Sequence, residues 1–210
     1  VNRVFVGVTA ILALSLAACV SSPKPETKKA EAQPAPVAKT EDKPAADPAT
    51  LVLTDFEAAA ASDFGSWKGG SSAIALELAT DQAHRGKQSL KYTSSNKDYT
   101  GFAIAVPAET SDWNAYAALR FWVYGAKSGK TFSVYLEEDK GEQFCFKDLT
   151  DDFSGWKEFV LPFSQFQFRT DYQAGDATID HKLQLNIKTI QIGPCSGDSS
   201  LYLDDFSLSK

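Results

Sequence analysis

The sequence predicts an all-β protein, one jelly-roll β-sandwich over residues 51–210, preceded by a signal peptide and a disordered linker. Three observations carry this. Short runs of β-branched and aromatic residues alternate with Gly, Asp, Ser and Pro clusters, the pattern of many strands separated by turns. In residues 131–137, Phe132, Val134 and Leu136 share one side of a two-residue period, as in a strand with one face in a core. No window shows a sustained helical period with caps, and 58–61 offers at most a short helical turn.

Taken in chain order, the elements are as follows. Arg3 begins a charged n-region, and residues 4–18 form an uncharged apolar run, too short for a membrane span of about 20 residues but right for an export signal. Leu16-Ala17-Ala18-Cys19 resembles the bacterial lipoprotein box, which implies cleavage after residue 18 and acylation of Cys19. Val20, in place of Asp, points that anchor to the outer membrane and the protein to the cell envelope. Residues 19–50 then read as a tether, with six of the nine prolines and no aromatic residue. Such a segment buries too little apolar surface to offset its conformational entropy, and its prolines keep it extended. Strands are predicted at 51–57, 73–79, 88–93, 101–106, 117–124, 131–137, 143–148, 156–161, 187–193 and 201–208.

Charge narrows the function. The net charge of −6 argues against nucleic acid, whose phosphates require a positive surface, and against electrostatic docking on anionic lipid. There is no Ser nucleophile elbow, phosphate-cradling Gly loop or Cys-x-x-Cys pair. Aromatic residues are abundant, with 14 Phe, 7 Tyr and 4 Trp. Trp113, Trp122 and Trp156 stand in strand-like motifs and read as core. Trp67, between Gly65 and Gly69-Gly70, reads as a loop residue.

A chain of motifs carries a resemblance. Asp55-Phe56-Glu57, Gly65-Ser66-Trp67, Gly86-Lys87-Gln88-Ser89-Leu90, Asp112-Trp113, Leu119-Arg120-Phe121-Trp122, Trp156-Lys157-Glu158 and Leu203-Asp204-Asp205-Phe206 occur in order, with Leu161-Pro162-Phe163-Ser164-Gln165-Phe166 between the last two. Residues 51–210 thereby resemble carbohydrate-binding module family 11, within the galactose-binding-like β-sandwiches. The opening and closing motifs are shared with a family of complex I assembly factors, which implies an alternative: a structural or assembly protein bound to another envelope protein. The more discriminating stretch is Arg169-Thr170-Asp171-Tyr172-Gln173. The resemblance implies that Arg169, Asp171 and Tyr172 line a sugar cleft with Trp67 and Tyr99, and that Gln143, Thr189 and Gln191 belong to it. The expected ligand is a polysaccharide, above all a β-glucan, and the expected role is non-catalytic.

The chemistry suits that ligand. A pyranose has an apolar face, which flat rings cover, and a hydroxyl rim, which planar polar groups bond. Arg169 can donate two parallel hydrogen bonds and Asp171 can accept from adjacent hydroxyls. Lys188, Gln191, Pro194 and Lys140 depart from the family, which has an acid, a His, a Tyr and an acid at the matching places, so some hydroxyl contacts are lost or reversed. Shallow-cleft affinity of roughly 1–100 μM is expected. Acidic pairs at 137–139, 151–152 and 204–205 read as solvated loop charge, and His84 and His181 as ordinary surface residues. Glu57 and Asp204, near the first and last strands, are candidates for a structural calcium. With Cys19 used for lipid, Cys145 and Cys195 form an even pair that suggests a disulfide in an exported protein, two separate thiols being the alternative.

Overall fold

The computed structural model describes residues 50–95, 97–193 and 197–210. The signal peptide, Cys19, the linker, Pro194 and Cys195 lie outside the described residues. Twelve strands occur among those described: β1 (Thr50–Thr54), β2 (Gly65–Lys68), β3 (Ala73–Ala79), β4 (Ser89–Ser95), β5 (Thr100–Ala105), β6 (Ala118–Ala126), β7 (Thr131–Glu138), β8 (Gln143–Thr150), β9 (Ser154–Pro162), β10 (Gln167–Phe168), β11 (Ile187–Ile192) and β12 (Asp198–Ser209). They form two six-stranded antiparallel sheets. The back sheet runs β3-β4-β12-β6-β9, with β1 also on β12; the front sheet runs β10-β8-β7-β11-β5-β2. This is the expected sandwich. β2 and β10 were not among the predicted strands, and the turn expected at 58–61 is a 3-10 turn at Ala61–Asp63.

Alternation builds the core. Phe132, Val134 and Leu136 of β7 are essentially buried, as are Phe121 and Val123 of β6, and Leu203 and Phe206 of β12. Phe121 stacks on Phe206 at 4.9 Å, and Phe132 meets Phe159 edge-on at 5.7 Å, tying the front sheet to the back. Such ring pairs add about 1 kcal/mol each beyond the area they bury. β12 is long enough to serve two neighbours on one side. Its first half pairs with β4, and its last residues pair with β1, so that Thr50 faces Ser209.

Trp113 is core, fully buried, stacked on Phe163 and donating Nε1–H to the Thr110 carbonyl at 2.8 Å. Trp122 and Trp156 correct the expectation. Both sit half-buried on the outer face of the back sheet, because residue 122 alternates with the inward Phe121 and Val123. His84 stacks flat on Trp122 at 3.8 Å and edge-on to Trp156 at 5.5 Å. It is therefore no ordinary surface residue. His181 is exposed, as expected, with its ring 4.2 Å from that of Phe168.

The acidic pairs are not simply solvated charge either. Glu138, Asp151 and Asp204 are buried. Asp151 accepts the backbone N–H groups of Ala126, Lys127 and Ser128 and the Ser128 hydroxyl, closing the β6–β7 turn. Burial opposes its ionisation, yet these donors keep its pKa below the usual carboxylate value. Glu138 accepts the Gln184 N–H, and Glu142 accepts those of Asp180 and His181, pinning the 180–184 loop. Burial, reinforced by the charge of Glu142, raises the Glu138 pKa to about 7.

Candidate functional site

The outer face of the front sheet carries an open cavity, and β5, next to the edge strand β2, contributes only small residues to that face. Along β5, Phe102 and Ile104 point inward, which leaves Gly101, Ala103 and Ala105 to face outward. Larger outward groups rise on both sides. At one end Trp67 of β2 lies opposite Gly101, and Tyr99 precedes β5. On the other side β7 and β8 present Ser133, Tyr135, Gln143 and Lys147, and the segment after β10 adds Arg169, Asp171 and Tyr172. Together they enclose an open cavity of about 880 Å³. Tyr99 is 49% exposed and Tyr172 is 53% exposed, unusual for rings of their size.

Arg169 organises the second wall. Its Nη1 donates to Gln143 Oε1 at 2.7 Å, and Nε and Nη2 donate to Asp171 Oδ2 at 3.3 and 3.1 Å. Its guanidinium carbon lies 4.2 Å from the Tyr135 ring centre and 5.0 Å from that of Tyr172. One cation thus fixes an amide, a carboxylate and two rings at once. Burial opposes ionisation of Asp171, but the Arg169 hydrogen bond and charge keep its pKa below the usual value. Gln173 locks this segment to β8: its amide donates to the carbonyls of Gln143 and Arg169, and its oxygen accepts the Gln143 N–H.

A second polar group stands on β7 and β11. Glu137 accepts from Lys188 Nζ at 3.0 Å, Thr189 Oγ1 at 3.1 Å and Gln191 Nε2 at 2.8 Å. The Lys188 charge is thus paired with an acid on the next strand.

Of the expected residues, Trp67, Tyr99, Gln143, Arg169, Asp171, Tyr172 and Gln191 line one cavity. Thr189 does not line it; it reaches the site only through Glu137 and Gln191. Tyr135, Lys147, Asp148 and Glu137 were not foreseen. For Tyr135 and Glu137 the signal was present, since the period that sends Phe132, Val134 and Leu136 inward sends 135 and 137 outward.

Cys145, also outward on β8, is buried and unbridged, and its thiol is pushed up by burial. The bridge expected with Cys195 involves a residue outside the described ones.

The calcium expected at Glu57 and Asp204 does not fit the groups around them. Asp204 accepts the N–H groups of His84, Arg85 and Asp205, and Glu57 accepts those of Lys87 and Gln88. Amide hydrogens aimed at a carboxylate have the wrong polarity for a shared cation, which calls for further oxygen ligands. Among the described residues no three His, Cys, Asp or Glu side chains converge on a metal position. The pair instead pins the 84–88 loop to the back sheet. A bulge between Asp204 and Ser207, with Asp205 at φ 50°, lets Asp205 reach His84 Nδ1 at 2.6 Å as well. Burial first, then the charge of Asp205, raises the Asp204 pKa to about 7.

Known proteins resemble this chain in sequence or in fold. Endoglucanase H of Acetivibrio thermocellus is 25% identical over 162 residues, 73% of this chain but only 17% of the endoglucanase. A family 11 carbohydrate-binding module from Clostridium thermocellum, solved in complex with a β-1,3-1,4-mixed-linked tetrasaccharide, superposes with a TM-score of 0.65 at 22% identity, covering 76% of this chain and 95% of that one. An agarase shares the fold more distantly, with a TM-score of 0.53 at 13% identity over 77% of this chain and 24% of its own. The sequence profile named carbohydrate binding domain (family 11) matches residues 39–205. The fold agrees with that match, and by it the chain belongs to carbohydrate-binding domain family 11.

Proposed function

We propose that this protein is a non-catalytic polysaccharide-binding protein whose cleft takes a neutral β-glucan, mixed-linked β-1,3-1,4-glucan being the first candidate. One observation carries the reading. Exposed rings stand at both ends of one open cleft, with planar hydrogen-bonding groups between them. The charged groups along the cavity balance, Lys147 and Arg169 against Asp148 and Asp171. A balanced lining gives a uronate polymer no advantage over a neutral glucan. The tetrasaccharide bound to the related module from Clostridium thermocellum supports the choice of linkage.

The carboxylates argue for binding and against hydrolysis. A glycosidase needs one acid held protonated beside the scissile bond. In this cleft Asp171 is shifted the other way. The carboxyls raised to about 7, Glu138 and Asp204, are buried and bound to backbone amides, and neither lines the cavity. We further propose that Cys19 is acylated and anchors the protein at the outer membrane. Fatty-acid labelling that disappears in Cys19→Ser tests that separately.

Affinity electrophoresis on mixed-linkage glucan, xyloglucan and glucomannan, with polygalacturonate as the charged control, tests the ligand. Retardation by the neutral gels is expected, with a Kd of roughly 1–100 μM by titration. Folded protein that migrates unretarded through all of them overturns the proposal.

A further inference from the structure

The rings at the β2–β5 end of the cleft are arranged reciprocally. Trp67-Lys68-Gly69 on one strand runs against Tyr99-Thr100-Gly101 on the other. Trp67 pairs with Gly101, and Lys68 with Thr100. The ladder continues one step further, with the Gly69 N–H donating to the Tyr99 carbonyl at 2.8 Å. Each aromatic residue therefore faces a glycine across the strand pair, and all four positions fall on one face because they are two apart.

The rings use that space. A Cβ on Gly69 would overlap the Tyr99 ring, with Cδ1 and Cζ at 2.6 Å, and the ring supplies its three nearest atoms. A Cβ on Gly101 would meet Trp67 Cζ2 at 2.5 Å and Cε2 at 2.7 Å, and the Ile192 carbonyl oxygen at 2.9 Å. Neither glycine adopts the left-handed backbone conformation that Gly70 takes. Backbone freedom does not explain them; the missing side chain does. Every other residue type would push the ring off the sheet at that point.

We infer that Gly69 and Gly101 are positioning residues, side-chain-free seats that lay the Tyr99 and Trp67 rings flat against the strand pair as a preset platform for a sugar chain. The inference rests on the proposed glycan-binding role for its consequence, but the seating itself is a property of the free protein. Rings already held in place lose little freedom on binding, and that preorganisation converts into affinity. Diagonal neighbours on an antiparallel pair stand roughly 7–8 Å apart, so the two rings serve successive parts of one oligosaccharide.

Gly69→Ala is the cleaner probe, since the three atoms nearest its Cβ all belong to the Tyr99 ring. Glucan affinity is measured for wild type, Gly69→Ala, Tyr99→Ala and the double variant. Each single change is expected to weaken binding about tenfold, the contribution of one stacked ring. The double variant should be no weaker than Tyr99→Ala, since an empty seat has nothing to hold. Wild-type affinity in Gly69→Ala, or losses that simply add, overturns the inference. A ligand-free measurement separates it from the glycan reading and survives a misfolded variant. In wild-type protein the Gly69 Hα protons should carry an upfield ring-current shift that vanishes in Tyr99→Ala. Unshifted protons refute the seating even if glucan binds; shifted protons without glucan binding uphold the seating and remove the ligand.

Discussion

Replacing Arg169 by Lys keeps a positive charge in the cleft and removes the planar fork. Arg169 has only 14% of its side chain exposed, so its contacts are not screened by bulk water. The 2.7 Å bond to Gln143 is a charged hydrogen bond, which typically contributes about 1.5–3 kcal/mol. The two ring contacts add about 0.5–1 kcal/mol each. The Asp171 pair is discounted to under about 1 kcal/mol, since that carboxylate is 55% exposed. Lysine keeps one of these contacts at best and frees the Tyr172 ring, whose reordering on binding costs roughly 0.5–1.5 kcal/mol. The expected loss in binding is about 2–3 kcal/mol, or roughly 30- to 150-fold in Kd. Isothermal titration with a soluble mixed-linked oligosaccharide reads the affinity, and a thermal melt on the same samples checks the fold. A Kd within twofold of wild type, with an unchanged melt, refutes Arg169 as the organiser of this wall.

Tyr172→Ala should weaken glucan binding about tenfold, and Trp156→Ala should leave it unchanged, because Trp156 lies on the opposite sheet; gel retardation reads both, and a loss in the second moves the site. Glu138 has its folded pKa raised to about 7 from 4.5, so its contribution is complete below the unfolded value and is lost as pH rises through about 7. Glu138→Gln retains an oxygen for the Gln184 N–H and removes that ionisation. Its melting temperature should exceed wild type at pH 8 and match it near pH 4; parallel profiles contradict the assignment. Dialysis against EDTA should leave the melt unmoved, because amides rather than a cation satisfy Glu57 and Asp204. A drop of several degrees, restored by calcium, reverses that conclusion.

The sandwich was legible because core strands such as β7 alternate in sequence, with Phe, Val and Leu on one side. β2 was not, since Trp67 sits among glycines that read as loop. Those glycines turned out to accommodate a ring rather than a bend at position 69. The Arg169-Thr170-Asp171-Tyr172 segment pointed to the site through its resemblance to family 11, and its planar cation, acid and ring suit a hydroxylated sugar. What stayed hidden depends on distant backbone. Nothing in the letters Asp204-Asp205 tells that residues 84 and 85 fold back to give Asp204 their amide hydrogens, or that His84 then comes to rest on Trp122. Tyr135 fell between these cases: its outward direction followed from the period, and its use as a bed for Arg169 required the loop after β10.

Thr50 and Ser209 are cross-strand partners, and both belong to the back sheet. Two ends that leave side by side let such a unit be spliced into a loop of a larger protein without stretching either junction. They also belong to the sheet opposite the one that carries the cleft. A support joined at either end is therefore attached through the sheet behind the groove and not through the strands that form its walls.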